Sequence, residues 1–277
     1  MKPLVSAHEL ARLDAVHWLD ARPSADAYAA GHLPGARHAS LEEDLSSARV
    51  PGHDPAHGGR HPLPPPEWFG RKLDAWGVAL TDTVVVYDDE SGANAAARAY
   101  WMLRALGHER VAVLDGGLAS ARRAGLALTS EVPRSSAAPS PSPERKWRRP
   151  TVAIDDVEAY AATPGWKVLD VRSPERFRGE AEPIDPVAGH IPGAVNLFFR
   201  ENLREDGTFK SRDELARLYT RILGGVPPER LVVHCGSGVT ACHTLLALDV
   251  AGLPGAALYV GSWSEWCRSG RPRAKGP

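Results

Sequence analysis

Short apolar runs alternate with helical patterns along the second half of the chain. Strands are predicted at 167–170, 231–234 and 257–260, and helices at 211–223 and 240–250, the last closed by Gly252. Runs that are apolar at nearly every position and are separated by helices are typical of parallel strands covered on both faces. The pattern therefore predicts an α/β fold in which helices flank a mostly parallel sheet.

The first half of the chain repeats the motifs of the second half in the same order. Leu-Asp-Ala-Arg at 19–22 recurs as Leu-Asp-Val-Arg at 169–172, and Gly-His-Leu-Pro-Gly-Ala at 31–36 recurs as Gly-His-Ile-Pro-Gly-Ala at 189–194. Two further matches relate 84–88 to 231–235 and 114–118 to 259–263. A displacement of roughly 150 positions is too long for a solenoid repeat and indicates a duplicated domain.

The duplication predicts the domain organisation and some structural roles. The predicted parts are a first domain at 1–128, a proline- and serine-rich linker at 129–150 and a second domain at 151–277. Because both copies keep them, the Asp-x-Arg pairs are expected to form ion pairs that fix a turn. His32 and His190 are likewise expected to have a structural role in the turns that contain them.

Composition narrows the class of protein. Of the 277 residues, 43% are hydrophobic and 24% charged, as in soluble globular proteins, and the net charge is −1. No basic field indicates a nucleic-acid or membrane partner. Three cysteines are too few for a disulfide scaffold, and the first residues contain no apolar signal-like run. We therefore expect a cytoplasmic protein.

Cys235 is the candidate nucleophile. It follows the strand at 231–234 and lies in a loop with two glycines, just before the helix that begins at Thr240. The start of a helix offers unpaired N–H groups and a positive dipole end, which favour the reactive thiolate. Gly236 and Gly238 allow the backbone to curl around the sulfur, so the loop through Val239 and Thr240 is the predicted binding loop.

Other roles for the cysteines are less well supported. Cys242 and Cys267 have no such setting and are predicted to pack in the core. His234 and Cys235 are adjacent on a strand, so they point to opposite faces, and no Cys-x-x-Cys pair exists. We therefore expect no metal and no cofactor. A cysteine phosphatase needs an arginine six positions after its cysteine, where this chain has Ala241.

Together, Asp-x-Arg, Gly-His-Ile-Pro-Gly-Ala, Cys-Gly-Ser-Gly-Val-Thr-Ala and Gly-Ser-Trp-Ser-Glu-Trp resemble the tandem-domain rhodanese family, the thiosulfate and 3-mercaptopyruvate sulfurtransferases. The last two motifs resemble the signature of the mercaptopyruvate branch. The resemblance implies two rhodanese-like α/β domains of which only the second is catalytic. The first copy has Asp88 at the position of Cys235, which agrees with an inactive first domain.

The resemblance implies sulfur transfer through a persulfide on Cys235. A small-molecule donor supplies the sulfur, and a thiol, thioredoxin or cyanide accepts it. Two roles are open for Ser237. In the first, its hydroxyl donates a hydrogen bond or relays a proton in the reaction. In the second, it only stabilises the loop by a local hydrogen bond. A non-catalytic persulfide carrier would have the same sequence features, so it stays an alternative.

Two observations bear on the donor. The thiosulfate branch carries basic residues just after its cysteine, whereas this chain has Gly236 and Ser237, which favours mercaptopyruvate. Arg176 aligns with the arginine that binds the donor carboxylate in the family. The second arginine of that branch is missing, because the chain has Glu-Pro-Ile-Asp at 182–185. Either another arginine substitutes, such as Arg200 or one in the first domain, or the preference is relaxed toward thiosulfate.

The resemblance also implies that the first domain contributes an acidic residue and a histidine. By position these are Glu42, with Asp44 close by, and His61. Glu42 would replace the usual aspartate of the family, which puts a proton relay through Ser237 in question. His61 lies in a proline-rich loop, where a structural role is an equal alternative.

Overall fold

The computed structural model describes residues 1–10, 13, 15–93, 95–133 and 145–277, which form two compact units. The first unit comprises Met1–Ser47, Pro64–Arg148 and Glu205–Phe209. The second unit comprises Ala48–Leu63, Arg149–Arg204 and Lys210–Pro277. Much of the linker predicted at 129–150 lies outside the described residues, at 134–144.

The first unit is a parallel sheet with helices, in the strand order β1-β5-β4-β2-β3. Its elements are β1 (Leu4–Val5), β2 (Val16–Asp20), α1 (Ala25–Ala30), β3 (Arg37–His38), α2 (Pro66–Trp76), β4 (Thr83–Tyr87), α3 (Ala96–Leu106), β5 (Val111–Leu114) and α4 (Gly117–Arg123). The predicted α/β class with a parallel sheet is therefore confirmed for this copy.

The second unit has the same topology, in the order β6-β10-β9-β7-β8, and all its strand pairs are parallel. Its elements are β6 (Thr151–Val152), α5 (Ile154–Ala161), β7 (Lys167–Asp170), α6 (Pro174–Arg178), β8 (Val195–Asn196), α7 (Arg212–Leu223), β9 (Leu231–His234), α8 (Thr240–Ala251), β10 (Ala257–Tyr259) and α9 (Ser262–Trp266). Each strand of this sheet has a counterpart at the same place in the first sheet, which confirms the duplication.

The predicted strands and helices of the second copy agree with the structure to within a residue or two. Helix α7 begins after Ser211, whose side chain accepts the N–H of Glu214 in a capping box. Strand β10 ends at Tyr259, one residue earlier than predicted. The reason is that the chain turns there, since the Ser262 hydroxyl donates to the Tyr259 carbonyl (2.9 Å).

Helix α8 is buried on nearly all sides, which explains its apolar sequence. Most of its residues, among them Cys242 and Leu246, are inaccessible to solvent. An all-round apolar helix is typical of a helix inside the core rather than on the surface. Strand β9, which precedes it, lies between β10 and β7 in the sheet. The loop between β9 and α8 therefore starts at the carboxyl edge of a central strand, where α/β sheets bind ligands.

The Asp-x-Arg pairs fix equivalent turns in the two copies, as predicted. Asp20 and Arg22 form a buried ion pair of 2.6 Å, as do Asp170 and Arg172. The two arginines also donate to the carbonyls of Gly31 (2.8 Å) and Gly189 (2.7 Å). Each pair thereby ties the end of a strand to the Gly-His turn.

The histidines of the two Gly-His turns have the predicted structural role. His32 stacks on Tyr28 and its Nδ1 bonds the Tyr28 carbonyl (2.8 Å). His190 stacks on Phe177 in the same way, with its Nδ1 2.8 Å from the Phe177 carbonyl.

Trp147 anchors the end of the predicted linker to the first unit. Its indole N–H donates to the Pro64 carbonyl (3.2 Å), and its ring packs near Phe69 and Trp101. Among the described residues, no helix has the length and apolar character that crossing a bilayer requires.

Candidate active site

The site is built on the loop that joins β9 to α8. All four β9 residues are buried, and Cys235, the first loop residue, is 2% exposed. Val239 is the N-cap of α8, and the half-buried Thr240 is the first residue of that helix. The structure therefore places Cys235 between a strand end and a helix start, as the sequence indicates.

The sulfur of Cys235 lies inside its own loop. The N–H groups of Ser237 and Gly238 donate to Sγ, with N···S distances of 3.4 and 3.1 Å. Gly238 has φ +76°, and a Cβ there would lie 2.5 Å from the Val260 carbonyl oxygen. Only glycine fits this turn, which directs two N–H donors at the sulfur and so stabilises negative charge on it.

The same loop in the first unit holds a carboxylate in place of the thiol. Asp88 is fully buried and accepts the N–H groups of four residues, Glu90, Gly92, Ala95 and Ala96. Burial raises the pKa of Asp88, and these hydrogen bonds act in the opposite direction. A carboxyl group satisfied in this way offers no soft nucleophile, so the first copy keeps the loop without the reactive sulfur.

The turn before α9 supports the Cys235 loop from behind. Ser262 Oγ accepts the N–H of Cys235 (3.2 Å), and the N–H of Trp263 donates to the Cys235 carbonyl (3.0 Å). Ser262 adopts φ +54°, a left-handed conformation that is costly for serine. Its counterpart in the first unit is Gly117, with φ +56°. In the second unit, a locally strained backbone at Ser262 therefore holds the Ser262 hydroxyl against the backbone N–H of Cys235.

A buried ion pair lies at the adjacent end of β7. Burial opposes the charge of Asp170, yet Arg172 holds the pKa of Asp170 below its ordinary value. His234 Nε2 is 3.8 Å from Asp170 Oδ2, but burial lowers the pKa of His234, so this imidazole is neutral. Arg172 also lies over the Trp263 ring (4.7 Å). The pair therefore links the strand end to the turn that supports Cys235.

A segment from the first half of the sequence completes the second unit. In Ala48–Leu63, the N–H of Gly58 donates to Glu265 Oε1 (2.8 Å), and the N–H of Arg60 donates to Ser264 Oγ (3.0 Å). These bonds place His61 Nδ1 2.9 Å from Ser237 Oγ. Two residues singled out from the sequence, His61 and Ser237, are thus brought together although 176 positions separate them.

Arg176, the candidate carboxylate-binding residue, lies on α6. Its guanidinium pairs with Glu182 (Nη2 to Oε1, 2.6 Å), and its side chain is 18% exposed. A Cβ on Gly236 would lie 3.4 Å from Nη2 of Arg176. The structure therefore brings Arg176 against the residue that follows the nucleophile.

Asp185 occupies the position at which the family resemblance implies a second arginine. Three arginines lie close to its carboxylate. Its buried carboxylate pairs with Arg60 and with Arg268 (3.0 Å), and it lies 3.7 Å from Arg176. Arg200, named above as a substitute, instead lies over the Phe198 ring (5.9 Å). One of the arginines around Asp185, Arg60, comes from the first half of the sequence.

The remaining candidates lie elsewhere. Glu42 is half-buried in a turn of the first unit, and its role stays a prediction. Asp44, close to it, pairs with Lys72 (2.7 Å). Cys242 and Cys267 are buried, as predicted for packing residues. Burial raises the pKa of the Cys267 thiol, which keeps that thiol protonated and unreactive.

Arg60 and Ser262 are site residues that sequence reasoning missed. Arg60 directly precedes the candidate His61, and this adjacency is the sequence signal that points to it. Ser262 lies within the Gly-Ser-Trp motif at 261–263, and its deviation from the glycine of the first copy was a second signal. Neither residue stands next to Cys235 in the sequence.

The chain is similar to known sulfurtransferases along most of its length. The profile of the rhodanese-like domain matches residues 6–124 and 153–269. A Pseudomonas aeruginosa protein named "Probable 3-mercaptopyruvate sulfurtransferase" is 48% identical over 240 residues, covering 86% of this chain and 82% of the relative. A Mycobacterium tuberculosis protein named "Putative thiosulfate sulfurtransferase SseB" is 41% identical over 283 residues, covering 95% and 93%. The solved 3-mercaptopyruvate sulfurtransferase from Leishmania major superposes with a TM-score of 0.83 at 31% identity, covering 98% of this chain and 75% of that one.

Proposed function

We propose that this chain, which belongs to the rhodanese-like domain family, moves a sulfur atom from 3-mercaptopyruvate to a thiol through a persulfide on Cys235. The chain is a sulfurtransferase, as its relatives of high identity and coverage are. The observation that carries the proposal is the pair of N–H groups directed at Cys235 Sγ, in a loop flanked by Arg176 and His61. The loop stabilises negative charge on the nucleophilic sulfur, and its neighbours suit an anionic donor.

In the first half-reaction the Cys235 thiolate attacks the sulfur of 3-mercaptopyruvate. A sulfur–sulfur bond forms as the carbon–sulfur bond breaks, and its electron pair stays on carbon as the enolate of pyruvate. That carbon takes up one proton to give pyruvate, which leaves Cys235 as a persulfide. The N–H groups of Ser237 and Gly238 stabilise negative charge on the sulfur before and after transfer.

Ser237 and His61 move the proton that this step requires. Ser237 Oγ is hydrogen-bonded to His61 Nδ1 (2.9 Å), so the hydroxyl can give its proton to the enolate carbon and regain one from the imidazole, which takes up a proton from solvent at Nε2. The N–H of Ser237 also bonds Sγ, which keeps this residue beside the reacting sulfur.

In the second half-reaction an acceptor removes the outer sulfur. A thiolate, from a small thiol or from thioredoxin, attacks that sulfur, and the Cys235 thiolate leaves with the electron pair of the broken bond. Cyanide would accept the same sulfur as thiocyanate. Cys235, Cys242 and Cys267, all among the described residues, form no disulfide bond, which agrees with the reducing cytoplasm that we propose as the location.

Thiosulfate is the second candidate donor. The Mycobacterium tuberculosis relative carries that name, and two arginines lie over Gly236, where a dianion would be held. With thiosulfate the same thiolate attack breaks the sulfur–sulfur bond of the donor and releases sulfite. The chemistry at Cys235 is otherwise unchanged.

Arg176→Ala tests the donor assignment. We expect the native protein to use 3-mercaptopyruvate with a higher kcat/KM than thiosulfate. The substitution should lower kcat/KM for mercaptopyruvate about 10- to 100-fold, since a charge-assisted pair to the carboxylate is lost. Steady-state assays with both donors measure the ratio. Equal or better use of thiosulfate by the native protein would contradict the assignment to mercaptopyruvate.

A further inference from the structure

Ser264, in the Gly-Ser-Trp-Ser-Glu-Trp motif, is hydrogen-bonded beside both members of the pair that moves the proton. Its backbone N–H donates to the Gly236 carbonyl (2.9 Å), and Gly236 directly precedes Ser237. Its Oγ accepts the backbone N–H of Arg60 (3.0 Å), and Arg60 directly precedes His61. A single residue therefore joins the two backbone segments whose side chains meet at 2.9 Å.

The hydroxyl of Ser264 has a fixed direction. The residue is inaccessible to solvent, and its Oγ donates to the Gly261 carbonyl (2.9 Å). Because the one hydroxyl proton is used in that bond, the oxygen faces the Arg60 N–H as an acceptor. A serine with both hydroxyl functions engaged holds its neighbours in one arrangement.

The segment from the first half of the sequence lies tightly on this turn. Gly59 has φ +78°, and a Cβ there would lie 2.7 Å from Ser264 Oγ and would collide with the Gly261 carbonyl oxygen. Glu265 Oε1 holds the same segment through the Gly58 N–H (2.8 Å). Glycine at position 59 thus lets the backbone of the segment come close enough for Ser264 to bind it.

The first unit has no hydroxyl at the equivalent position. The match of 114–118 with 259–263 makes Ala119 the counterpart of Ser264. The backbone contact between the turn and its loop is nevertheless kept there, since the Leu118 N–H donates to the Asp88 carbonyl (2.8 Å). The fold therefore forms without this hydroxyl, which is specific to the unit that carries the nucleophilic thiol.

We propose that Ser264 is a positioning residue, which holds Ser237 and His61 at hydrogen-bond distance through its backbone N–H and its Oγ. The inference rests on the proposed sulfur transfer, in which this pair delivers the proton to the enolate carbon. A displacement of about 1 Å is enough to cost an acid–base pair much of its effect on the rate. Ser264 therefore affects the rate of the chemical step more than the binding of the donor.

Ser264→Ala is the first test. It removes Oγ but keeps the backbone N–H that binds the Gly236 carbonyl, so the Cys235 loop is retained. We expect the single-turnover rate of pyruvate release from 3-mercaptopyruvate to fall about tenfold, because His61 is no longer held against Ser237. The donor concentration that gives half the maximal rate should stay within about twofold of native.

Ser269→Ala is the matched control. Like Ser264, Ser269 uses its Oγ to donate to a carbonyl three residues earlier, that of Trp266 (2.8 Å), and to accept a backbone N–H, that of Arg271 (3.4 Å). It has no bond to the segment that carries His61. Its substitution should therefore leave the rate of pyruvate release within about twofold of native.

A double-mutant cycle separates positioning from a general structural role. His61→Ala alone should lower the rate of pyruvate release about 100-fold, the contribution of a general acid. If Ser264 acts through His61, then adding Ser264→Ala to that variant should change the rate by less than about twofold. If Ser264 only supports the fold, the two losses should multiply.

Four results would overturn the proposal: a native rate in Ser264→Ala, an equal loss in Ser269→Ala, losses that multiply in the double variant, or a native rate in His61→Ala. A native protein that releases no pyruvate would instead overturn the proposed function itself. If Ser264→Ala does not fold, Ser264→Cys keeps the size of the side chain but accepts hydrogen bonds only weakly. A lowered rate that disappears in the His61→Ala background then supports the proposal, and a native rate or a multiplying loss contradicts it.

Discussion

Replacing Cys235 with serine is expected to reduce sulfur transfer at least about a thousandfold while the fold is retained. Serine keeps the size of the side chain and can still accept the N–H groups of Ser237 and Gly238. It cannot form a persulfide, so both half-reactions are lost. Steady-state release of pyruvate and of sulfide from 3-mercaptopyruvate measures the effect, and thermal unfolding checks the fold.

Cys267→Ala is the matched control for that substitution. Cys267 is also buried in the second unit, and its thiol donates to the Ser264 carbonyl at 3.7 Å, a weak contact. Its removal should change kcat/KM by less than about threefold, because the contacts of its sulfur, with the Ser264 carbonyl and with Arg268 Nη1 (3.5 Å), are weak. Substantial turnover by Cys235→Ser, or a similar loss in both variants, would show that Cys235 is not the nucleophile.

Gly238→Ala should have the second largest effect. A methyl group there meets the Val260 carbonyl oxygen at 2.5 Å, and the backbone must leave φ +76°. The N–H of Gly238 then no longer points at Cys235 Sγ. Loss of one such donor costs about 10²- to 10³-fold in kcat in oxyanion sites, and we expect a loss of that order. Unfolding should also become easier by about 1–3 kcal/mol.

Gly35→Ala is the control for backbone strain alone. Gly35 has φ +79°, close to that of Gly238, but a Cβ there would have nothing within 4 Å. Its substitution should lower the free energy of unfolding by about 1 kcal/mol and leave kcat near the native value. If Gly238→Ala behaves like Gly35→Ala in both measurements, the directed N–H groups do not matter for catalysis.

The local part of the site could be predicted from the sequence. The run from Leu231 to Thr240 combines an apolar strand, a cysteine, two glycines and a helix, each with its own short-range signal. The structure places a strand at Leu231–His234 and a helix at Thr240–Ala251, as expected. The ion pair of Asp170 and Arg172 could be predicted too, since its partners are two residues apart and the motif occurs twice.

The arginines and the histidine around Cys235 depend on contacts that no local pattern encodes. Arg60 meets Asp185 across 125 positions, and His61 meets Ser237 across 176. Hydrophobic periodicity describes which face of an element is buried, but not which distant loop packs beside it. The family resemblance implied a second arginine near 182–185, whereas the contact of Arg60 with Asp185 had no local signal in the sequence.

The two units differ in the residue that their equivalent loops surround, Asp88 in the first and Cys235 in the second. Both loops direct backbone N–H groups inward, onto the Asp88 carboxylate in one unit and onto Cys235 Sγ in the other. The fold thus provides a set of inward-directed N–H donors at the same loop in each half. Only the second copy uses a polarisable sulfur there, backed by Ser262 Oγ.

The most direct test of the account is the mass of the Cys235 peptide after one half-reaction. Native protein is mixed with 3-mercaptopyruvate without an acceptor, alkylated, digested and analysed by mass spectrometry, while released pyruvate is measured. We predict one added sulfur atom on Cys235, one pyruvate per chain, and loss of that sulfur when a thiol is added. Pyruvate release with an unmodified Cys235, or with the sulfur on Cys242 or Cys267, would contradict the account.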